Sequence, residues 1–432
     1  MIRKVKFYTL GCKTNQYETQ AIRESIISKK RFEETPPSEK ADIYIVNTCT
    51  VTAKADRNSR WTINHCHREN PNAKILVTGC LAELDDKMIK DLPGVFLIAK
   101  NRDKHRIKDF LNTTYDIRHT IYGRQDYTPL KISGFQNRTK AFIKIQDGCD
   151  NFCAYCKVPL ARGRSRSRDV EGIVEEVARL LDSGFKELVL TGICLGDWGK
   201  GLEGDFKLPE LLEKITKINR DFRVRLSSIE PNLIEDNLIE KVARDDKICN
   251  HLHIPLQSGS DKILKTMRRP YTANEYLRTI KKIRKAIPAI SITSDVMVGF
   301  PGESLKDFNA TVRLIKDIFP SRLHIFPYSK RRGTPAYILN DKLTPKEKKA
   351  RREILVNLSE KLSYKYRRRF LGKTVSGLIE AKRDPGTDLL TGYTDTYIRF
   401  LLKGDDSLMG KITALKINKL AGKSTFCKHL SG

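Results

Sequence analysis

Cys149, Cys153 and Cys156 stand at C-x3-C-x2-C spacing directly after a strand-like run that ends at Ile145. Three thiolates are one fewer than a closed structural zinc site or an ordinary four-iron cluster takes. The triplet therefore predicts an iron-sulfur cluster with one iron left open for a substrate or cofactor. A zinc site completed by a distant fourth ligand is the alternative, but such sites usually pair two Cys-x2-Cys knuckles and no second knuckle is present. Three further cysteines, Cys12, Cys49 and Cys80, each follow a strand-like run. Taken singly, each is a small buried hydrophobe. At equivalent strand ends, where α/β sheets gather their ligands, they are expected to converge as ligands of a second cluster with one open iron.

The elements that must position these thiols follow from hydrophobic patterning. Strand-like runs at 5–10, 43–47, 75–78 and 95–98 alternate with helical stretches beginning near Gln16 and Ala53. This is the pattern of a doubly wound α/β domain over residues 1–125. After an expected linker at 127–136, strand and helix repeat six times over residues 135–368, which predicts a partial (β/α)6 barrel. Its strands are expected at 142–145, 187–190, 223–226, 251–254, 291–298 and 322–326. Their carboxyl ends carry Thr191, Gly192, Ser228, Glu230, Gln257, Gly299 and Gly302, expected to bind a cofactor through close backbone approach and free amides. Residues 370–432 hold short strands near 375–379, 389–394, 398–402 and 411–417, consistent with a small β-barrel.

Lys and Arg number 81 against 52 acids, a formal charge of +29 that predicts a polyanionic partner, nucleic acid first. No run of about 18 apolar residues is present, so the chain is expected to be soluble and cytoplasmic, with no membrane partner. Residues 341–370 are the densest basic stretch, with Ile354, Leu355, Leu358 and Leu362 at helical spacing on one apolar face. Lys365, Arg367, Arg368 and Arg369, interleaved with Tyr364 and Tyr366, are candidates to meet phosphates. Cys66, His65 and His67 read as ordinary helix residues, Cys194 as a packed thiol, and Cys249 and Cys427 as inert.

The triplet spacing is that of the radical S-adenosylmethionine (SAM) enzymes. The segments Tyr8 to Thr19, Asn47 to Thr52 and Gln146 to Cys153, with both cysteine sets in order, resemble the radical SAM methylthiotransferase family from end to end. They are most similar to the branch acting on N6-threonylcarbamoyladenosine in transfer RNA. The isopentenyladenosine branch tends to carry Gly-Cys-Gln-Met-Asn, and the branch acting on a ribosomal protein Gly-Cys-Pro-Lys-Asn, where this chain has Gly11, Cys12, Lys13, Thr14 and Asn15.

The resemblance implies two 4Fe-4S clusters, SAM on the open iron of the Cys149 triplet, and reductive cleavage to a 5'-deoxyadenosyl radical. It implies a methylthio group replacing the hydrogen at adenine C2 beside the anticodon, and a C-terminal TRAM barrel that grips the tRNA anticodon stem-loop. An electron donor and a sulfur source are implied partners. In the family a recurring Arg-rich stretch follows the triplet, so Arg162, with Arg166 and Arg168, is expected to position SAM or substrate carboxylates. The competing class is a non-catalytic iron-sulfur RNA-binding protein.

Overall fold

A computed structural model describes residues 2–28, 31–111, 119–121, 128–136, 138–204 and 206–430. The first sheet has six strands: β1 (Arg3–Thr9), β2 (Phe32–Glu34), β3 (Ile43–Thr48), β4 (Lys74–Gly79), β5 (Val95–Ala99) and β6 (His119–Ile121). They lie in the order β2-β1-β3-β4-β5-β6, every pair parallel. β2 and β6 were not foreseen, because three residues are too few to display a period. Both faces of the sheet are covered, as a parallel sheet requires. Tyr44 and Val46 of β3 pack into one core with Ile63 and Ile75, while Ile43 and Ile45 pack into another with Val5 and Ile22. The helices Lys13–Ile27 and Ala53–Glu69 supply Ile22 and Ile63.

The central strands are β7 (Lys140–Lys144), β10 (Glu187–Thr191), β11 (Arg223–Leu226), β12 (His251–His253), β13 (Ser291–Val298) and β14 (Arg322–Pro327), with a short hairpin of β8 (Gln146–Asp147) and β9 (Arg166–Ser167) after β7. Parallel sheets β7-β10-β11 and β12-β13-β14 are joined by the bridge of Ser228 to His253, giving an open barrel of six strands in chain order. Its free edges are covered: the helix Lys13–Ile27 packs on β7 and the helix Pro345–Arg368 on β14.

The segment expected to be a linker is part of the packing. Tyr127 lies outside the described residues, but Ile132 and Phe135 are buried in the barrel core. The Tyr17 hydroxyl donates to the Leu130 carbonyl at 2.6 Å, and Ser133 N–H to Glu24 at 2.7 Å. The segment thus fastens the first sheet's leading helix to the barrel.

β15 (Thr374–Arg383), β16 (Leu390–Thr394), β17 (Arg399–Leu402), β18 (Ile412–Ala421) and β19 (Ser424–His429) close a small barrel in the order β15-β16-β17-β19-β18. It seats on the amino-terminal ends of the central strands. Arg223 donates to the Tyr393 carbonyl at 2.8 Å and Arg225 to those of Thr394 and Asp395 at 3.0 and 2.9 Å, while both pair with the buried Glu187. Tyr397 stacks on His251 at 4.4 Å.

The basic helix departs from expectation in two respects. Ile354 points outward, 51% exposed, while Leu355 and Leu362 are buried. Tyr366 and Arg367 are buried too: Tyr366 donates to the Ala289 carbonyl, Arg367 to those of Gly422 and Ser424, and Arg369 to that of Pro288. Arg367 thus anchors the C-terminal barrel, and Tyr366 and Arg369 tie the helix to the loop before β13; the buried Tyr366 and Arg367 are not free to meet phosphates, while Arg368 and Arg369 stay exposed. A 3.6-residue period distinguishes faces of a helix but not what each face will meet.

Candidate active site

Three neighbouring strands of the first sheet end in cysteine. β1 turns through Gly11 into Cys12, which caps the helix Lys13–Ile27; β3 runs into Cys49; β4 turns through Gly79 into Cys80, first residue of the short helix Cys80–Leu84. Chain order reverses between β1 and β3, so the cysteines flank the switch point where such sheets bind ligands. Gly11 has φ 97°, and a Cβ there would stand 2.8 Å from both Cβ and Sγ of Cys49. Gly79, also at 97°, would drive a Cβ to 2.4 Å from the Thr48 carbonyl oxygen. The Asn15 amide donates to the Leu10 and Thr48 carbonyls at 2.7 and 3.0 Å, tying the first two loops together. Ser59 accepts the Cys49 N–H and donates to its carbonyl.

The second set follows β8. Asn151 N–H donates to Cys149 at 3.5 Å, the Arg269 guanidinium to Cys153 at 3.1 Å, and Val158 N–H to Cys156 at 3.4 Å. Donors of this kind favour a thiolate and tune a bound cluster. Cys194, at the end of β10, is buried, and its thiol donates to Cys149, which draws Cys149 below its ordinary value. Burial pushes Cys156 up to about 12 and Cys49 up to about 11. The charge of bound iron would be needed to bring both to thiolate at neutral pH. Among the described residues no three Cys, His, Asp or Glu side chains gather around one point as a lone ion requires. The all-thiol donor sets instead suit a four-iron cluster, in which each iron takes its own thiolate.

The elements that follow the two cysteine loops adjoin. The helix Cys80–Leu84 packs on the helix Val158–Arg162, just beyond Cys156. Asn101 joins them, its N–H on Glu83 at 2.8 Å and its amide on the Ala161 carbonyl at 2.7 Å. From the far side of the barrel Arg331 donates to Thr50, next to Cys49, and to Asp56. Behind the loops lie Glu18, Lys104, Lys144, Asp147 and Arg162, none more than 5% exposed. Arg162 donates to Glu18 at 2.8 Å, Asp147 at 2.9 Å and Asn15 at 2.6 Å; Lys144 bonds both carboxylates, and Lys104 bonds Glu18. Burial alone would push the Glu18 carboxyl up, but Arg162, Lys104 and Lys144 together hold it well below its ordinary range.

Arg162, expected to hold SAM, is therefore engaged by protein carboxylates and joins the two cysteine loops instead. Arg168 is likewise buried, on Glu176 at 2.7 Å and the Tyr17 hydroxyl at 3.0 Å, and Arg166 donates to the Arg162 carbonyl. Of the other expected cofactor residues, Gln257 is the most suggestive: its backbone is left-handed at φ 62°, and its buried Oε1 has no hydrogen-bond partner among the described residues. Glu230 is bound by Arg269, the same guanidinium that reaches Cys153. Thr191 is buried, and Gly192 lies against the Gln146 side chain. Ser228 bridges β11 to β12, and Gly302 opens onto free space. Gly299 is covered by Lys348 and donates its N–H to Glu303 at 2.8 Å.

Sequence reasoning missed a polar row on the inner wall. Asp295 of β13 takes His253 of β12 at 3.1 Å and His324 of β14 at 3.4 Å, and Thr293 bonds His253. Against the upward push of burial, the two imidazoles hold the Asp295 carboxyl well below its ordinary range. An acidic residue, Asp295, inside an otherwise buried strand was the available signal.

An open six-stranded parallel barrel with a three-thiol loop at the carboxyl end of its first strand defines a radical SAM enzyme. The Radical SAM superfamily model matches residues 143–315, and that of uncharacterized protein family UPF0004 matches residues 4–99. The chain is 40% identical to the threonylcarbamoyladenosine tRNA methylthiotransferase MtaB of Bacillus subtilis, over 96% of this chain and 94% of that one. To the protein of the same name from Thermotoga maritima it is 37% identical, over 97% and 95%. It is 34% identical to the tRNA-2-methylthio-N(6)-dimethylallyladenosine synthase of Clostridium tetani, over 95% and 93%. In fold it resembles the radical SAM methyltransferase TsrM from Kitasatospora setae, with a TM-score of 0.56 at 14% identity over 78% of this chain and 77% of that one. The chain belongs to the radical SAM methylthiotransferase family, and an iron-sulfur cluster and SAM are its cofactors.

Proposed function

We propose that the chain methylthiolates C2 of N6-threonylcarbamoyladenosine next to the anticodon of transfer RNA. In this reading Cys12, Cys49 and Cys80 hold one 4Fe-4S cluster, and Cys149, Cys153 and Cys156 hold another. The observation that carries it is the packing of the Cys80 helix on the helix beyond Cys156, which supports one mouth shared by both thiol sets. Identities of 40% and 37% to threonylcarbamoyladenosine enzymes, against 34% to a dimethylallyladenosine enzyme, support the choice of nucleoside.

When bound, the clusters and SAM supply the radical, methyl and sulfur chemistry that a C–H bond neither acidic nor activated demands. The chain's own residues bind and orient. Gln257 offers its unpartnered amide oxygen to SAM, and Arg269 donates to Cys153 while holding Glu230. The His253, Asp295 and His324 row lines the lumen that receives the base, and the single-stranded anticodon loop can deliver that base unstacked. The carboxylate and cation network behind the loops fixes their separation.

The test offers the anaerobically loaded protein transfer RNA carrying N6-threonylcarbamoyladenosine or isopentenyladenosine, with SAM, a sulfur source and a reductant, and reads the digested nucleosides by mass spectrometry. The 2-methylthio product is expected from the first RNA. Product from the second alone would move the chain to the other branch; neither product nor 5'-deoxyadenosine would point to a non-catalytic role.

A further inference from the structure

The chain has two tryptophans. Trp198 is buried at 2% exposure, whereas Trp61 is 60% exposed on the helix Ala53–Glu69. Its indole is held flat against His65, with centroids 5.0 Å apart and planes 3° from parallel. Around it the helix sorts its residues by charge. Ser59, Thr62, Ile63 and Cys66 face inward, and Lys54, Arg57, Asn58, Trp61 and Arg68 face outward. The helix's two acids are both engaged: Asp56 by Arg331 and Thr50, and Glu69 by Lys6 at 2.6 Å. The outward face is therefore a basic stripe with a preorganised aromatic surface at its middle.

The placement of this stripe gives it a purpose. Ser59 bonds both backbone groups of Cys49, and the first turn is pinned to the barrel where Ala53 N–H donates to Ser329 beyond β14. The helix starts at the proposed mouth and runs outward for about 25 Å at ~1.5 Å per residue. The small C-terminal barrel, by contrast, sits at the opposite ends of the central strands.

We propose that the outward face of the helix Ala53–Glu69 is a docking surface for the substrate RNA: an unpaired nucleotide stacks on Trp61, and Lys54, Arg57 and Arg68 take phosphates. The inference rests on the transfer RNA reading above. RNA suits the surface because every base offers a face for stacking while the surrounding cations are matched by phosphates, so the contact needs no sequence.

Affinity of the cluster-loaded protein for transfer RNA, measured across a salt series, tests it. Trp61→Ala should bind about 5- to 150-fold more weakly, the span of base–aromatic stacking, with its salt dependence unchanged. Trp61→Phe should recover most of the loss. The triple variant Lys54→Gln, Arg57→Gln, Arg68→Gln should flatten the slope of log affinity against log salt by about two to three. An unchanged thermal midpoint for Trp61→Ala shows that it is folded. Wild-type-like RNA binding by folded Trp61→Ala overturns the proposal, as does a loss confined to an acidic protein partner such as an electron donor. Failure of the wild-type protein to bind transfer RNA would overturn the functional reading along with it.

Discussion

At the scale of single residues, the proposed auxiliary site depends on side chains that are absent. Gly79 brings β4 against Thr48 so that Cys80 can start its helix beside Cys49, in a backbone region that side chains rarely enter. Gly79→Ala should lower stability by about 1–3 kcal/mol from backbone strain, and more if Thr48 cannot yield. A denaturant titration checks this, and a midpoint equal to wild type would show that the close approach is not needed. The strand-end positions of Cys12, Cys49 and Cys80 were legible in the sequence because they follow from local patterning. Arg162 was not: a local Arg-rich run cannot say whether a guanidinium will meet a cofactor or, as here, Glu18 from 144 residues away.

At the scale of elements, strands and helices were legible from periodicity, and their interfaces were not. The helix Lys13–Ile27 carries Asn15 and Glu18 into a polar junction with β7 and the triplet loop, and nothing in its own sequence reveals that partner. Because Glu18 is held below its ordinary value of 4.5, it contributes stability that is fully present above that pH. That stability is lost as the pH falls through 4.5 toward the folded value. Glu18→Gln should cost about 3–5 kcal/mol near neutral pH by leaving three buried cations against one carboxylate. It should also remove part of the acid sensitivity. Denaturant midpoints from about pH 3 to pH 7 for both proteins test the sign, and parallel curves would show that the junction does not titrate with folding.

At the scale of the whole molecule, the sequence revealed the α/β class, the open barrel, the small β-barrel and the +29 charge, but not how they are stacked. The small barrel closes the strand ends opposite the thiol loops, held by Arg223, Arg225 and Arg367. An RNA touching both the proposed mouth and that barrel must run the height of the central strands. In the proposed reaction two separate three-thiol sites act together. The most direct measurement of this is on the variant with Cys12, Cys49 and Cys80 all replaced by Ala, reconstituted anaerobically beside wild type and supplied with SAM, reductant, a sulfur source and N6-threonylcarbamoyladenosine transfer RNA. The expected result is about half the wild-type iron, continued formation of 5'-deoxyadenosine and no methylthio product. Full iron content, or methylthio product from the variant, would contradict the proposal.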